Sequence, residues 1–268
     1  MHWHWRDVCT TLAGDLEEAL MTRMIGKAIV LAVLVSSSAS AQWPPERLKN
    51  VKVLPSDISV RALLDTMSGF TRALGVRCSY CHTGGETVAF EKRDYASDSM
   101  PTKTKAREML RMVLAINGDH LSKLADRRSP AIVVTCATCH RGIAQPRPLQ
   151  QVLLIAYDAG GIDSTEAAYR ALRQRYYGAA AYDFGEVPLA DVASALRARG
   201  KLPDALRLHA LNVEFSPRSG FALRQAANAQ LAAGDTTAAV ASLEKALTLN
   251  ANDGQAKGAL EALKRKPH

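Results

Sequence analysis

The sequence predicts a mainly α-helical protein built in two successive parts. Three observations support this fold class: apolar residues recur at helical spacing along most of the chain, a Cys-x-x-Cys-His motif occurs twice, each time after a predicted helix, and a 34-residue period appears towards the C-terminus. Of the 268 residues, 47% are hydrophobic and 22% are charged, so the chain has enough apolar material for a core and is not disordered as a whole.

Residues 1–41 are interpreted as a leader. Lys27 is followed by the apolar run AIVLAVLV at 28–35 and by the small-residue cleavage site Ala39-Ser40-Ala41, which is the pattern of a secretory signal. The apolar run is too short to span a bilayer in the mature protein. We therefore expect export to the periplasm or the outer face of the cytoplasmic membrane, with the mature chain peripheral to the membrane, and Cys9 removed with the leader.

Cleavage before Gln42 would leave a basic mature chain, with 31 Lys and Arg against 22 Asp and Glu, a net charge of +9. Such a charge favours an acidic partner or membrane surface. Nucleic acid is not an expected partner, because the positive charge is spread along the chain, aromatic residues make up only 6%, and the protein is exported.

The two Cys-x-x-Cys-His motifs span 78–82 and 136–140 and contain every cysteine of the mature chain. This motif is the attachment signature of c-type haem, because two thiols three positions apart each bond one vinyl group of a porphyrin and the adjacent imidazole ligates the iron. A zinc site with four thiolates or a redox Cys-x-x-Cys pair is the alternative, although zinc does not require a histidine after each second cysteine. The motifs predict two covalently bound haem c groups, attached at Cys78, Cys81, Cys136 and Cys139 and ligated by His82 and His140.

The segment 57–74 is predicted to be an amphipathic helix that begins at an Asp57 N-cap and stops at Gly75. Its apolar stripe contains Met67, eleven residues before the first motif. A methionine on such a stripe is usually a core residue, but this helix leads directly into a haem loop, so Met67 is a candidate sixth iron ligand. The stripe consists of Leu63, Met67, Phe70 and Leu74.

A second helix is predicted over about 102–125, with a broad apolar face. It carries Met109 and Met112, both candidate ligands for the second iron, and His120 as a less favoured third. A strand-like stretch, Ile132 to Val134, then leads to the second motif.

Residues from about 54 to 148 resemble the multihaem cytochrome subunit of the photosynthetic reaction centre of purple bacteria. The matching stretches are MSGFTRALGVRCSYCH, REMLRMVLAIN and TCATCHRGIAQP, at 67–82, 107–117 and 135–146. In that family a helix beside each haem supplies a methionine as sixth ligand, so the resemblance implies that Met67 pairs with His82 and Met109 with His140, with Met112 as the alternative. The family typically has four haems, whereas this chain has two motifs.

The C-terminal half is predicted to contain tetratricopeptide-like repeats. Gly200 and Gly234 are 34 residues apart, as are Ala205 and Ala239, which places the repeats at 186–219 and 220–253. A last helix at 255–265 would cap the stack, and helices at 149–157 and 163–177, the second capped by Asp163, are expected to join it. A plain helical bundle is the alternative. His209 is expected to be a solvated helix residue.

Together these predictions divide the chain into a leader (1–41), a dihaem cytochrome c domain (42–148) and a helical repeat domain (149–268). The predicted function is electron transfer between a donor and an acceptor, with the repeats docking the protein onto a complex such as a membrane-bound reaction centre or a respiratory complex. No catalytic site is expected. Two alternatives stay open: a dihaem enzyme such as a peroxidase, which needs an iron with an open sixth position, and a repeat scaffold or filament that arranges haems and self-associates.

Overall fold

The computed structural model describes residues 47–126 and 129–265, and the leader, with its signal and Cys9, lies outside them. The fold is mainly α-helical, as predicted, and no strand occurs within the described ranges. Among the same residues, no helix combines the length and the apolar character that a membrane span requires. The helices are α1 (Val60–Leu74), α2 (Pro101–Ala115), α3 (Cys136–His140), α4 (Leu149–Tyr176), α5 (Glu186–Ala198), α6 (Leu202–Phe215), α7 (Gly220–Ala232), α8 (Thr236–Leu249) and α9 (Gly254–Arg265).

Helix α1 ends where the sequence predicts and begins later. Gly75 closes it in a left-handed conformation (φ 65°), which glycine adopts without steric cost. The N-cap is Ser59, whose hydroxyl accepts a hydrogen bond from the Ala62 N–H. The expected Asp57 cap was wrong, because Ser59 competes for the same role two residues closer to the helix.

Helix α2 is shorter than the predicted 102–125. It begins at Pro101, ends at Ala115 and continues only as a π-helical turn (Ile116–His120) and a 3₁₀ turn (Leu121–Lys123). The side chain of Asn117 accepts from the Val134 N–H and donates to the Val134 carbonyl oxygen, both at 2.8 Å. Both backbone groups of Val134 are thus bonded to a side chain, and 132–134 is irregular rather than the expected strand.

The C-terminal half is a stack of helix hairpins in tetratricopeptide-like order. Helices α5 and α6 form one hairpin and α7 and α8 the next, and every helix boundary of the second lies 34 residues after its counterpart in the first. Each hairpin packs on its neighbour and α9 packs on α8, as the capping helix was expected to do.

The predicted helices at 149–157 and 163–177 appear as one element, α4, kinked at Gly160 and Gly161. They join the stack as expected, because Leu153 and Tyr169 lie in one buried cluster with residues of α5 and α6. The second part begins directly after Gly161, so Asp163 lies inside the helix, where it forms an ion pair with Arg207 instead of a cap.

The expectation of a solvated His209 was wrong, since this side chain is only 6% exposed. Helix α6 has α5 on one side and α7 on the other, so two of its faces are covered. Burial lowers the pKa of His209 to about 4, with a smaller contribution from the Arg197 charge, and its Nδ1 atom has no hydrogen-bond partner.

Candidate functional site

The two Cys-x-x-Cys-His motifs adopt different local structures. The first forms a 3₁₀ turn over Cys78–Tyr80, and the His82 N–H donates to the Cys78 carbonyl oxygen at 3.0 Å. The second forms the short helix α3, whose start is closed by a capping box between Thr135 and Thr138. In both motifs, the backbone turns tightly between the first cysteine and the histidine.

The imidazole of His82 is half-buried and lies edge-on to the Tyr95 ring, with 5.1 Å between the ring centroids. Burial lowers its pKa below the ordinary value, and the nearby Lys103 charge lowers it further. The ring is therefore neutral at neutral pH, the form that binds metals. Its Nδ1 atom is buried and has no hydrogen-bond partner, which is rare for a buried polar atom.

The imidazole of His140 is oriented by its own chain. Its Nδ1 atom lies 2.9 Å from the Ile143 carbonyl oxygen, which only an N–H at Nδ1 satisfies. This bond leaves the Nε2 lone pair available, the arrangement usual for a metal-ligating histidine.

The four cysteines of the motifs are free thiols. Cys78, Cys81 and Cys136 are partly buried and Cys139 is exposed. Burial raises the pKa of the Cys81 and Cys136 thiols. At Cys81, a hydrogen bond with Thr102 lowers the pKa and offsets part of this rise. Within the described part of the chain, no three His, Cys, Asp or Glu side chains converge on a common metal position.

The methionines proposed as sixth ligands differ in exposure. Met67 is half-buried on α1, whereas Met109 and Met112 on α2 are 43% and 46% exposed. Helix α2 has no buried residue, although Ala106, Leu110 and Val113 on its apolar side are partly buried. Exposure therefore does not separate Met109 from Met112.

Helix α1 packs against the second motif and the start of α2 is hydrogen-bonded to the first motif, a crosswise arrangement that the sequence did not indicate. Helix α1 packs on α3, and a crevice of about 630 Å³ between them is lined by Thr66, Phe70 and Cys136. On the other side, the Thr102 hydroxyl of α2 donates to the Tyr80 carbonyl oxygen inside the first motif. The two motifs are therefore joined into one body.

A charged cluster that sequence reasoning missed anchors the start of this body. Asp98 accepts hydrogen bonds from Lys52 at 2.7 Å, and from Asn50 and Arg107 at 2.8 Å each. Lys103 lies 3.3 Å from the same carboxylate and donates to three backbone carbonyls of the 95–97 loop. These contacts hold the pKa of Asp98 well below its usual range, chiefly through the Lys52 hydrogen bond.

Comparison with known proteins identifies the family. Residues 12–166, more than half of the chain, match the family described as photosynthetic reaction centre cytochrome C subunit. The chain belongs to this family. The match extends beyond 54–148, the region that the sequence motifs indicated.

Two relatives illustrate the family likeness. The chain is 36% identical over 116 residues to the photosynthetic reaction center cytochrome c subunit of Thermochromatium tepidum, covering 42% of this chain and 25% of that protein. It is 35% identical over 91 residues to cytochrome c-554 of Chloroflexus aurantiacus, covering 34% of this chain and 20% of that protein. The chain thus spans a quarter or less of the length of these curated relatives.

Solved structures with a partial likeness include the first TPR domain of human RPAP3 and the Yersinia enterocolitica translocator chaperone SycD. The first is 20% identical at a TM-score of 0.31 and covers 44% of this chain and 87% of that chain. The second is 18% identical at a TM-score of 0.30 and covers 43% and 81%, respectively.

Membership of a cytochrome c family implies covalently bound haem c, and the residues present fit it. The motif cysteines form no disulfide, the His82 ring is held beside its motif against Tyr95, and the His140 ring is held with Nε2 available. A c-type haem requires two thiols and one neutral imidazole, and each motif offers this donor set.

Proposed function

We propose that the mature chain is an exported dihaem c-type cytochrome that passes electrons between redox partners. The observation that supports this most directly is the pair of Cys-x-x-Cys-His motifs joined crosswise in one body, since two redox groups held together suit electron transfer. When bound, each haem supplies an iron that cycles between the ferrous and ferric states. Cys78 and Cys81 would hold one group beside His82, and Cys136 and Cys139 the other beside His140.

Met67 and Met109 are proposed as the sixth ligands, with Met112 as the alternative to Met109. A methionine ligand favours ferrous iron and raises the reduction potential. With both positions filled, neither iron has a coordination site for substrate, which favours a carrier over a peroxidase-like enzyme.

The distribution of charge along the chain supports an acidic partner that binds the cytochrome part, residues 42–148. We propose domains at 42–148 and 149–268; the first holds 17 Lys and Arg against 10 Asp and Glu, and the second 14 against 12. Most of the polypeptide's net positive charge therefore lies on the part with the haem motifs. If ionised, the four propionates of two haems would lower that part from +7 to about +3, which stays positive and would steer an acidic donor or acceptor. The partners proposed are redox proteins, among them a membrane-bound reaction centre or a respiratory complex, with the repeat domain as the docking module.

The decisive experiment is an anaerobic redox titration of the purified mature protein, followed by optical and electron paramagnetic resonance (EPR) spectra. We expect two redox transitions, each from a low-spin haem, and a mass that exceeds that of the apoprotein by two haems. A high-spin iron that readily binds cyanide or peroxide would favour the enzyme instead. A protein with the bare apoprotein mass would contradict the proposal altogether.

Two matched variants assign each redox transition to one of the two motifs. Replacement of both Cys78 and Cys81 by Ala should remove one haem and one transition, and replacement of both Cys136 and Cys139 should remove the other. Retention of both transitions in either variant would contradict the proposed attachment sites. Sedimentation of the same samples tests the scaffold alternative, which predicts concentration-dependent self-association.

A further inference from the structure

Two segments within the stretches that resemble the reaction-centre cytochrome family, Leu-Gly-Val before the first motif and Cys-His-Arg-Gly at the end of the second, meet in the structure. Gly75 belongs to the first and Gly142 to the second. A Cβ atom added at Gly75 would lie 2.0 Å from the Gly142 carbonyl oxygen and 2.8 Å from its carbonyl carbon. Any side chain at position 75 would therefore collide with backbone rather than with a movable side chain.

A hydrogen bond fixes the same contact from the other side. The Gly142 N–H donates to the Ala73 carbonyl oxygen at 2.8 Å, close to the ideal length. Ala73, 6% exposed, is the one buried residue of the described part of 47–148, so this bond is largely shielded from water. Gly142 itself has a φ of 84°, in the region that favours glycine.

The contact lies very close to both haem attachment motifs. Gly75 is three residues before Cys78, and Gly142 is two residues after His140. Fully extended, three residues reach about 11 Å and two about 7 Å, so the contact limits how far apart the motifs can move.

The contact also continues into the iron ligand of the second motif. Ile143, the residue after Gly142, accepts from Nδ1 of His140 through its carbonyl oxygen and donates its own N–H to the His140 carbonyl oxygen at 2.8 Å. An unbroken chain of bonds thus leads from the end of α1, through Gly142 and Ile143, to the His140 ring.

We propose that the contact between Gly75 and Gly142 is the joint that sets the relative geometry of the two haems and the orientation of His140. The inference rests on the proposed function, because it assumes that both motifs carry haem. Gly75 and Gly142 are positioning residues, since they act through the backbone and through His140. The expected consequence is strong electronic coupling between the haems, because coupling falls steeply with separation and depends on orientation.

The test compares Gly75→Ala with Gly85→Ala in the haem-loaded protein. Gly85 also has a positive φ (58°), lies between the two motifs, and has nothing within 4 Å of an added Cβ, so its variant carries the backbone strain without the collision. Circular dichroism in the Soret band reports the coupling as a bisignate signal. Gly75→Ala should keep both haems but lose most of the bisignate amplitude and shift the EPR signal of the second haem, whereas Gly85→Ala should match the wild type.

The outcomes separate this inference from the proposed function. A wild type without haem would contradict the proposed function. Two haems with no bisignate signal in the wild type, or equal spectra for Gly75→Ala and Gly85→Ala, would overturn the joint alone. Should Gly75→Ala yield no haem-loaded protein, Gly142→Ala decides. Its added Cβ meets nothing within 4 Å, so no collision prevents folding, but the φ of 84° at Gly142 disfavours any side chain and the strain falls on the contact itself. A partial loss of amplitude is expected there, and an unchanged signal would overturn the joint.

Discussion

The Nη1 atom of Arg141 lies 3.2 Å from the Ala180 carbonyl oxygen and donates to it. Arg141 directly follows the second motif, and Ala180 belongs to the loop between α4 and α5, so this bond joins the cytochrome part to the helix stack. Both residues have positive φ angles (48° and 55°), which non-glycine residues seldom adopt. The bond therefore connects two residues whose backbone conformations are both unfavourable for a side chain other than glycine's hydrogen.

Removal of this bond should loosen the loop between α4 and α5, residues 177–185. The variant Arg141→Asn removes the guanidinium, and asparagine tolerates the left-handed conformation better than most residues. A single hydrogen bond of this kind is worth about 1 kcal/mol, so chymotrypsin should cleave after the exposed Tyr177 about five-fold faster. The control is Arg147→Asn, at another exposed arginine, which should be cleaved at the wild-type rate. Equal rates for all three proteins would contradict the prediction.

The methionine assignment makes a second prediction. Met67→Ala should convert one haem from low to high spin and lower its reduction potential, because methionine ligation raises the potential. Met109→Ala should do the same to the other haem and Met112→Ala should leave it unchanged. Met100→Ala supplies a control with the same side chain at a position outside both ligand helices. Optical and EPR spectra decide each case, and an unchanged spectrum removes that methionine from the ligand set.

Local signals predicted the parts of the fold that depend on local interactions. The helix stop at Gly75 and the repeat boundaries follow from one glycine and from a 34-residue spacing, so both were accessible from the sequence. The irregular backbone at 132–134 was not, because Val134 is bonded to the side chain of Asn117, 17 residues away. The burial of His209 was missed for the same kind of reason, since a neighbouring hairpin covers it.

In the candidate site, too, the sequence predicted what depends on neighbouring residues and missed what depends on distant contacts. The proposed haem attachment residues could be named from the sequence, because haem attachment requires a fixed spacing within five residues; they stay a prediction. The Asp98 cluster was not evident, since its partner Asn50 lies 48 residues away and a charged residue in a loop is usually solvated. The contact between Gly75 and Gly142 also joins distant segments, although the glycines themselves stood out in the family-specific stretches.

The Asp98 cluster predicts a stability that depends on acid pH. The pKa of Asp98 is held below its ordinary value in the folded protein, so its contribution to folding is present above about pH 4 and is lost as the pH falls below that value. Asp98→Asn should therefore lower the urea midpoint at pH 7, and the difference from wild type should shrink below pH 4. Asp119→Asn removes the same charge at an exposed site and should change the midpoint little. A difference that persists unchanged at pH 3 would contradict the role of the carboxylate charge.

His209 predicts a separate pH dependence, in the helix stack. Its pKa is lowered to about 4 by burial, so the folded protein keeps it neutral while the unfolded chain takes up a proton below about pH 6.5. The free energy of unfolding should therefore have its full value above pH 6.5 and fall by about 3 kcal/mol as the pH drops from 6.5 to 4.

The variant His209→Leu isolates this effect. It removes the titrating ring and the unpaired Nδ1 atom while keeping an apolar side chain of similar size, so the stability at pH 7 should change little. At pH 5 the variant should be more stable than the wild type, and its urea midpoint should vary less between pH 6.5 and 4. The exposed His120, replaced by Leu, controls for loss of a histidine elsewhere. If wild type and His209→Leu lose stability in parallel over this range, the buried ring does not cause the pH dependence.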